Sequence, residues 1–369
     1  MAQPIRIGVV GCGAISGAYL SAARGFPVLR VVACADRVRE AAERKAAEFR
    51  VPRVCNVDQL LHDAEVDVVL NLTVPAAHAD IASRSLAAGK HTYSEKPLAV
   101  TREQGRHILD SAAGRGLRVG CAPDTFLGAA VQTARELIDG GAIGRPVAFT
   151  AFYMSRGHES WHPSPAFYYQ RGGGPIFDMG PYYLTALFNL LGAPRRLTAA
   201  ATVTQPHRTI TSRPHAGTTI AVETPDHVCG TIEFENGATG VIVQSFATHH
   251  PQYDAAHPVT IYGTDGALKI PDPNTFDGAV LLRRASDAHW AQVAPTFLIG
   301  YGRSVGLADM AHAIRSGRPH RASGELAFAV LDVMQGFLES SETGAAYHPV
   351  ARFERPAPMP SRLPFGVLD

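Results

Sequence analysis

Lysine is scarce in this chain of 369 residues: four, at positions 45, 90, 96 and 269, stand against 30 arginines. A lysine is therefore seldom incidental surface charge here, and Lys96 sits inside Glu95-Lys96-Pro97. Charge of one sign is lacking too. The formal net charge is +1 with no basic run, which removes the electrostatic ground for expecting nucleic acid or an anionic membrane as partner. The five cysteines, at 12, 34, 55, 121 and 229, are odd in number and scattered. They form neither a disulfide framework nor a C-x-x-C metal knuckle, so no metal is expected. No apolar run approaches the ~20 residues that span a bilayer, and Met-Ala-Gln-Pro-Ile-Arg leads into a strand without a signal-peptide pattern. A cytoplasmic protein is expected, and the sequon Asn71-Leu72-Thr73 reads as incidental, lying at the end of a core strand.

What is present is a globular composition, 46% apolar and 18% charged, at a length that suits two domains. Strand-like runs at 5–10, 29–35, 66–72, 91–94 and 117–121 alternate with helical runs at 14–24, 37–49, 76–88 and 101–113. That rhythm predicts a parallel sheet with helices on both faces, a Rossmann-type α/β domain over residues 1–122. After Pro123 the grammar changes. A helix over 131–139, a strand over 146–154 and a helix from about 178 to 191 precede alternating runs at 218–223, 230–234, 239–246 and 259–262. The expectation for 123–369 is an α+β domain with a large open, mainly antiparallel sheet, closed by an amphipathic helix over 325–340. An open sheet of that size needs cover, so a homodimer or homotetramer packed sheet to sheet is expected.

The first strand ends in Gly11-Cys12-Gly13-Ala14-Ile15-Ser16, a G-x-G-x-x-S turn before a helix. In such a turn the first glycine permits the bend, the second admits a pyrophosphate, and the helix N-terminus supplies amide donors. Asp36, at the end of the second strand, can accept hydrogen bonds from both ribose hydroxyls and would repel a 2′-phosphate. NAD is therefore expected over NADP, although Arg37 and Arg39 could pair with a phosphate. Asp36 could equally cap the helix that follows. Ligands of parallel sheets bind beyond the carboxyl ends of the strands, which adds Thr73, Pro75, His78, Glu95 and Lys96 to Gly11, Gly13, Ala14, Ile15, Asp36 and Arg37 as candidate cofactor contacts. Thr73 and His78 could instead be a helix cap and a solvated helix residue.

His158-Glu159-Ser160-Trp161-His162 matches the zinc-protease pattern H-E-x-x-H, which works only on a helix. Gly157 precedes it and Pro163 follows, and a residue before proline avoids the α conformation. Arg156, His158, Trp161 and His162 are instead expected in a loop over a substrate, as donors to hydroxyls or an anionic substituent and an indole face for a pyranose ring; a purely structural loop is the alternative.

Gly8-Val9-Val10-Gly11-Cys12-Gly13-Ala14-Ile15, Glu95-Lys96-Pro97-Leu98, and Gly172-Gly173-Gly174 followed by Asp178-Met179-Gly180 resemble the glucose–fructose oxidoreductase, inositol dehydrogenase and rhizopine-catabolism family over most of the chain. The resemblance implies that Lys96 and Asp178 sit at the nicotinamide ring and that a third catalytic group follows four residues after the aspartate. Most members have histidine there. This chain has Tyr182, as some sugar oxidoreductases and the dimeric dihydrodiol dehydrogenases of the family do. A second departure is Ala122-Pro123-Asp124-Thr125-Phe126, where many members have arginine before the phenylalanine.

Oxidising a secondary alcohol needs a base for the hydroxyl proton, and a phenol with a pKa of about 10 fills that role only beside a cation. Lys96 would be that cation and would hold the alcohol oxygen, with Asp178 orienting either group or a sugar hydroxyl. The implied activity is an NAD-dependent oxidoreductase acting on a pyranose, glycoside or cyclic polyol, with Lys96, Asp178 and Tyr182 catalytic. An alternative with the same residues is an NAD-requiring glycosidase. There, transient oxidation acidifies a neighbouring C–H, the aglycone is eliminated, water adds, and the hydride returns. A dinucleotide-sensing regulator is the third reading, and retention of the proton-transfer set argues against it.

Overall fold

The first strand, β1 (Ile5–Val10), buries its last four residues in succession, as a parallel strand covered on both faces must. A computed structural model describes residues 3–249, 252–297, 299–361 and 364–368. The chain divides into two compact units, Met1–Ala129 with Thr296–Phe328 and Pro356–Asp369, and Ala130–Pro295 with Ala329–Arg355.

In the first unit β1, α1 (Ser16–Ala23), β2 (Leu29–Ala35), α2 (Arg39–Phe49), α3 (Val57–Leu61), β3 (Val68–Asn71), α4 (Pro75–Ala87), β4 (His91–Ser94), α5 (Arg102–Ala113) and β5 (Val119–Cys121) follow one another. The strands form a parallel sheet in the order β2-β1-β3-β4-β5. The expected Rossmann-type domain is present, with most elements within a few residues of the bounds read from the sequence. The helix α3 was not expected; it is nucleated by a capping box in which Asn56 and Gln59 each accept the other's backbone N–H. Thr101 and Gln104 start α5 in the same way. The strand order reverses between β1 and β3, the switch point at which such sheets open a ligand crevice.

The second unit holds α6 (Ala129–Asp139), β6 (Pro146–Met154), α7 (Gly174–Asp178), α8 (Gly180–Leu191), β7 (Pro194–Thr202), β8 (His207–Thr209), β9 (Thr219–Ala221), β10 (His227–Phe234), β11 (Thr239–Ser245), β12 (Val259–Gly263), β13 (Gly266–Ile270), β14 (Val280–Arg284) and β15 (Ala291–Val293). Eight of these strands form one sheet, β15-β14-β13-β12-β6-β11-β10-β7, antiparallel except for the β6–β11 pair. Along β10 burial alternates, with Val228, Gly230, Ile232 and Phe234 covered and Cys229 and Thr231 exposed, so one face carries the core and the other is open. Gly230 is required on the covered face because a Cβ there would meet the Phe337 ring and the Thr198 carbonyl. On the open face Thr198 and Thr231 pair across strands at 2.7 Å.

Two sequence expectations change here. The run 218–223 does not enter the large sheet; its core, β9, pairs with β8 in a separate two-stranded ribbon. The single helix from about 178 to 191 is two, α7 and α8, parted at Met179, where Pro181 near the start of α8 brings no N–H to continue the helix from α7. After β15 the chain forms α9 (Val305–Ser316) in the first unit, and α10 (Gly324–Thr343) begins there and continues in the second. No helix among the described residues is long and apolar enough to cross a membrane.

Candidate active site

In the first unit the candidates gather beyond the carboxyl ends of β1 to β4. Gly11 has φ +99°, and a Cβ on it would lie 2.6 Å from the Leu72 carbonyl carbon and 2.8 Å from the Thr73 amide. The turn after β1 and the loop after β3 therefore touch at the switch point. Gly11→Ala combines a left-handed backbone with a clash against main chain, each costing about 1–3 kcal/mol. A fall in melting temperature and loss of dinucleotide binding are expected, read by thermal melts with and without NAD. Gly13 has nothing within 4 Å of the position its Cβ would take, so the backbone there is open to an approaching group. The third fingerprint residue, Ser16, is buried and donates its hydroxyl to the Gly13 carbonyl at 2.7 Å, closing the turn onto α1.

Asp36 does not cap α2, whose N-cap is Val38 with no side-chain cap. Its Oδ2 accepts the Cys12 N–H at 2.7 Å and its Oδ1 the Val38 N–H at 2.8 Å. The carboxylate is thus aimed across the glycine turn, and each oxygen keeps a second lone pair for a further donor. Arg37 is exposed beside it.

Thr73 is not a cap either; its hydroxyl donates to Asn71 Oδ1 at 2.7 Å, and Pro75 opens α4. His78 is not solvated. It is fully buried, with Nδ1 2.7 Å from the Pro97 carbonyl oxygen and Nε2 2.9 Å from that of Thr73. Burial lowers its pKa against the pull of the two carbonyls. The neutral ring has one N–H to donate to one of these carbonyls, and it packs between the loop after β3 and the Lys96-Pro97 segment.

Lys96 is half-buried and its N–H donates to Glu95 Oε2 at 2.9 Å, while Glu95 Oε1 accepts the Tyr19 hydroxyl at 2.7 Å. Glu95 is buried, so its two oxygens hold the lysine backbone to α1 instead of facing solvent. Below this couple lies Asp124, fully buried, accepting the Gly306 N–H at 3.1 Å with Arg303 at 3.7 Å. Burial raises its pKa to about 6, assisted by Glu95 and opposed by Arg303 and the Gly306 N–H. Because that value lies above the ordinary 3.8, the associated stability is complete below about pH 3.8 and is lost as pH rises through 6. Asp124→Asn has no proton to lose. Its stability relative to wild type is expected to improve between pH 4 and 7, by up to about 3 kcal/mol, read as the difference of two denaturation curves.

In the second unit, Asp178 ends α7 and Tyr182 lies in the first turn of α8. Asp178 Oδ2 is 3.2 Å from His158 Nε2. His158 is buried, and its ring meets Trp161, Tyr168 and Phe246 at centroid distances of 5.1, 4.1 and 4.5 Å. The segment 158–162 is a turn, not a helix, with the His162 N–H donating to the His158 carbonyl at 3.0 Å. Glu159 is committed elsewhere: it accepts the Tyr169 hydroxyl and, at 2.8 Å, Arg208. Burial would raise its pKa, but these two donors hold it below the usual range. Arg156 is exposed and donates to Ser160 Oγ at 3.0 Å, and His162 Nδ1 accepts the Ser164 N–H at 3.0 Å. Tyr182 is 6% exposed.

Tyr19 and Arg208 escaped the sequence reading, and Asp124 was read there only as a departure from the family pattern. Each acts on a partner distant in the chain, as Tyr19 does on Glu95 across 76 positions, and no local pattern signals such a pair.

The chain matches an oxidoreductase family with an NAD-binding Rossmann fold over residues 5–122 and the C-terminal domain of the same GFO/IDH/MocA family over 131–269. It belongs to the GFO/IDH/MocA family of oxidoreductases. Among curated relatives it is similar to 1,5-anhydro-D-fructose reductase of Ensifer adhaerens, 26% identical across 92% of this chain and 97% of the relative. A dTDP-3,4-didehydro-2,6-dideoxy-alpha-D-glucose 3-reductase of Streptomyces violaceoruber is 34% identical over 54% of this chain and 58% of its own length. Several other relatives are matched over only 54% to 60% of their length. The solved structure of levoglucosan dehydrogenase in its apo form superposes with a TM-score of 0.83 at 23% identity, covering 95% of this chain and 100% of the other. That likeness shows the shared fold.

Proposed function

We propose that the protein is an NAD-dependent oxidoreductase that moves a hydride between the nicotinamide and a secondary alcohol of a pyranose sugar, glycoside or cyclic polyol. The observation that carries this reading is the set built on the first unit: the open Gly13 backbone, Asp36 aimed across it, and Lys96 anchored through Glu95 to α1. These residues fit a dinucleotide. The turn 11–15 would hold the pyrophosphate, Asp36 the ribose hydroxyls with Arg37 beside them, and Thr73, Pro75, Glu95 and Lys96 the nicotinamide half. His78 acts through the loops it ties together. When bound, the nicotinamide supplies the hydride acceptor or donor.

The chain's own residues do the rest. Lys96, Asp178 and Tyr182 act on one substrate: Tyr182 takes the hydroxyl proton, Lys96 holds the alcohol oxygen and stabilises the phenolate, and Asp178, with His158 behind it, orients a sugar hydroxyl. Arg156 and His162 complete the contacts to the oxidised ring, with Trp161 left for the group that ring carries. NAD rather than NADP follows from Asp36, since a 2′-phosphate would face its charge. Asp36→Ser is expected to weaken NAD about 10-fold to 100-fold, the scale of hydrogen bonds to a charged group, and to narrow the preference over NADP, read by titrating both cofactors. The open face of the eight-stranded sheet supports a homodimer or homotetramer. Five free cysteines and the absence of a membrane-crossing helix among the described residues are in keeping with a cytoplasmic enzyme.

The deciding experiment supplies purified protein with NAD and a panel of sugars, polyols and glycosides. Steady growth of NADH absorbance supports the dehydrogenase reading. Aglycone release without net NADH replaces it with the redox-neutral glycosidase, and NAD binding with no turnover of the panel overturns both.

A further inference from the structure

Trp161 is 61% exposed, and a single exposed indole on a mobile loop would mean little. Neither condition describes this one. Trp161 continues into an aromatic strip: its ring meets His162 at 5.4 Å, His162 meets Phe167 at 5.6 Å, and Phe167 meets Tyr168 at 4.0 Å, all three partly exposed. At its inner end the strip abuts His158, which is fixed to Asp178.

The β8–β9 ribbon holds this loop. Arg208, buried on β8, donates to the Arg156 carbonyl at 3.0 Å and to Glu159 Oε1 at 2.8 Å, and is itself held by Asp226 at 2.8 Å. The Thr211 and Ser212 amides both donate to the Glu159 carbonyl, at 2.9 and 3.0 Å. The Ser212 hydroxyl bonds the His162 carbonyl. Both edges of the turn are thus tied before any ligand arrives, which cuts the ordering cost of binding.

Asp178 and His158 are polar and suit a ring bearing hydroxyls. The strip beyond them offers aromatic faces and edges, and the carboxylate of the same turn, Glu159, is bonded to Tyr169 and Arg208, which suits a second ring whose exposed surface is C–H or π. We infer that Trp161 and Phe167 form a second subsite, next to the Asp178–His158 sugar site, that takes the aglycone of a glycoside, either an aryl group or the apolar face of a second pyranose. This rests on the carbohydrate reading above and narrows the substrate class to glycosides over free sugars.

The test uses matched pairs: glucose, galactose and xylose against their phenyl β-glycosides, titrated by calorimetry into the NADH-bound protein. In at least one pair the glycoside is expected to bind about 10-fold tighter, the scale of one or two desolvated aromatic contacts. Trp161→Ala is expected to bring that ratio to near one while moving the free sugar by less than about 3-fold. Fluorescence in a Trp290→Phe background, which leaves Trp161 as the one tryptophan, should respond to the glycoside and not to the free sugar. Equal affinity within every pair, no binding by any member, or equal weakening of both members by Trp161→Ala overturns the subsite. NADH formation when the same sugars and glycosides are supplied to the NAD-bound protein separates the two readings. Glycoside preference without oxidation keeps the subsite and removes the oxidoreductase, and oxidation without preference does the reverse.

Discussion

Tyr182→Phe is expected to lower kcat by roughly 10² to 10⁴ while NAD binding and melting temperature stay close to those of the wild type. The replacement preserves the ring that α8 buries and removes only the hydroxyl. Its neighbour Tyr183 shows what a structural tyrosine looks like on the same helix. Tyr183 is buried edge-on against Tyr153 at 6.3 Å and is pushed above the usual phenol range by burial, with Asp272 as its hydrogen-bond partner. Tyr183→Phe is therefore a control in which stability moves and chemistry does not. For Tyr182 the proposed role requires the reverse, because what its hydroxyl adds to turnover is the proton exchanged with substrate. Single-turnover hydride transfer followed by NADH absorbance measures the step directly. Wild-type turnover in Tyr182→Phe removes tyrosine from the mechanism and leaves the proton to Asp178 and His158.

The first sheet was legible because its signals are local: short apolar runs, the first of them closed by Gly11, alternating with helical runs. The candidate cofactor residues were legible for the same reason, since each lies within a few positions of a strand end. His78 shows the limit. Its place in the chain suggested a ligand contact, yet only the fold reveals that both ring nitrogens face carbonyls, at positions 73 and 97. Tyr19 and Glu95, or Arg208 and Asp226, are likewise meetings that burial enforces and sequence spacing does not encode. The return of residues 296–328 to the first unit was invisible for a related reason. Its polar contributions there, the Ser304 hydroxyl on the Tyr19 carbonyl and the Gly306 amide on Asp124, come from a short stretch without a recognisable motif. The run 218–223 was misplaced because a three-residue strand reads alike whether it joins a large sheet or a small one, and β8 was not read at all.

Lys96→Met tests the other half of the proton-transfer set and carries an equally large expected effect. Methionine keeps most of the stem and discards the ammonium. The backbone anchor, Lys96 N–H to Glu95 and Glu95 to the Tyr19 hydroxyl, does not involve the side chain and should survive, so thermal stability is expected to hold. On the proposed chemistry the charge does two things, holding the alcohol oxygen and stabilising a phenolate. Removing an electrostatic contact of this kind costs about 10² to 10³ in kcat. The loss of the cation also lets the phenol return toward pKa 10, which moves the rising limb of the pH–rate profile to higher pH. Lys96→Arg retains charge but not a compact ammonium; it is expected to recover part of the rate and most of the pH profile. The two functions separate in these variants. A reduced kcat with an unmoved pH limb in Lys96→Met assigns the lysine to the alcohol oxygen alone, and an unmoved kcat removes Lys96 from the reaction.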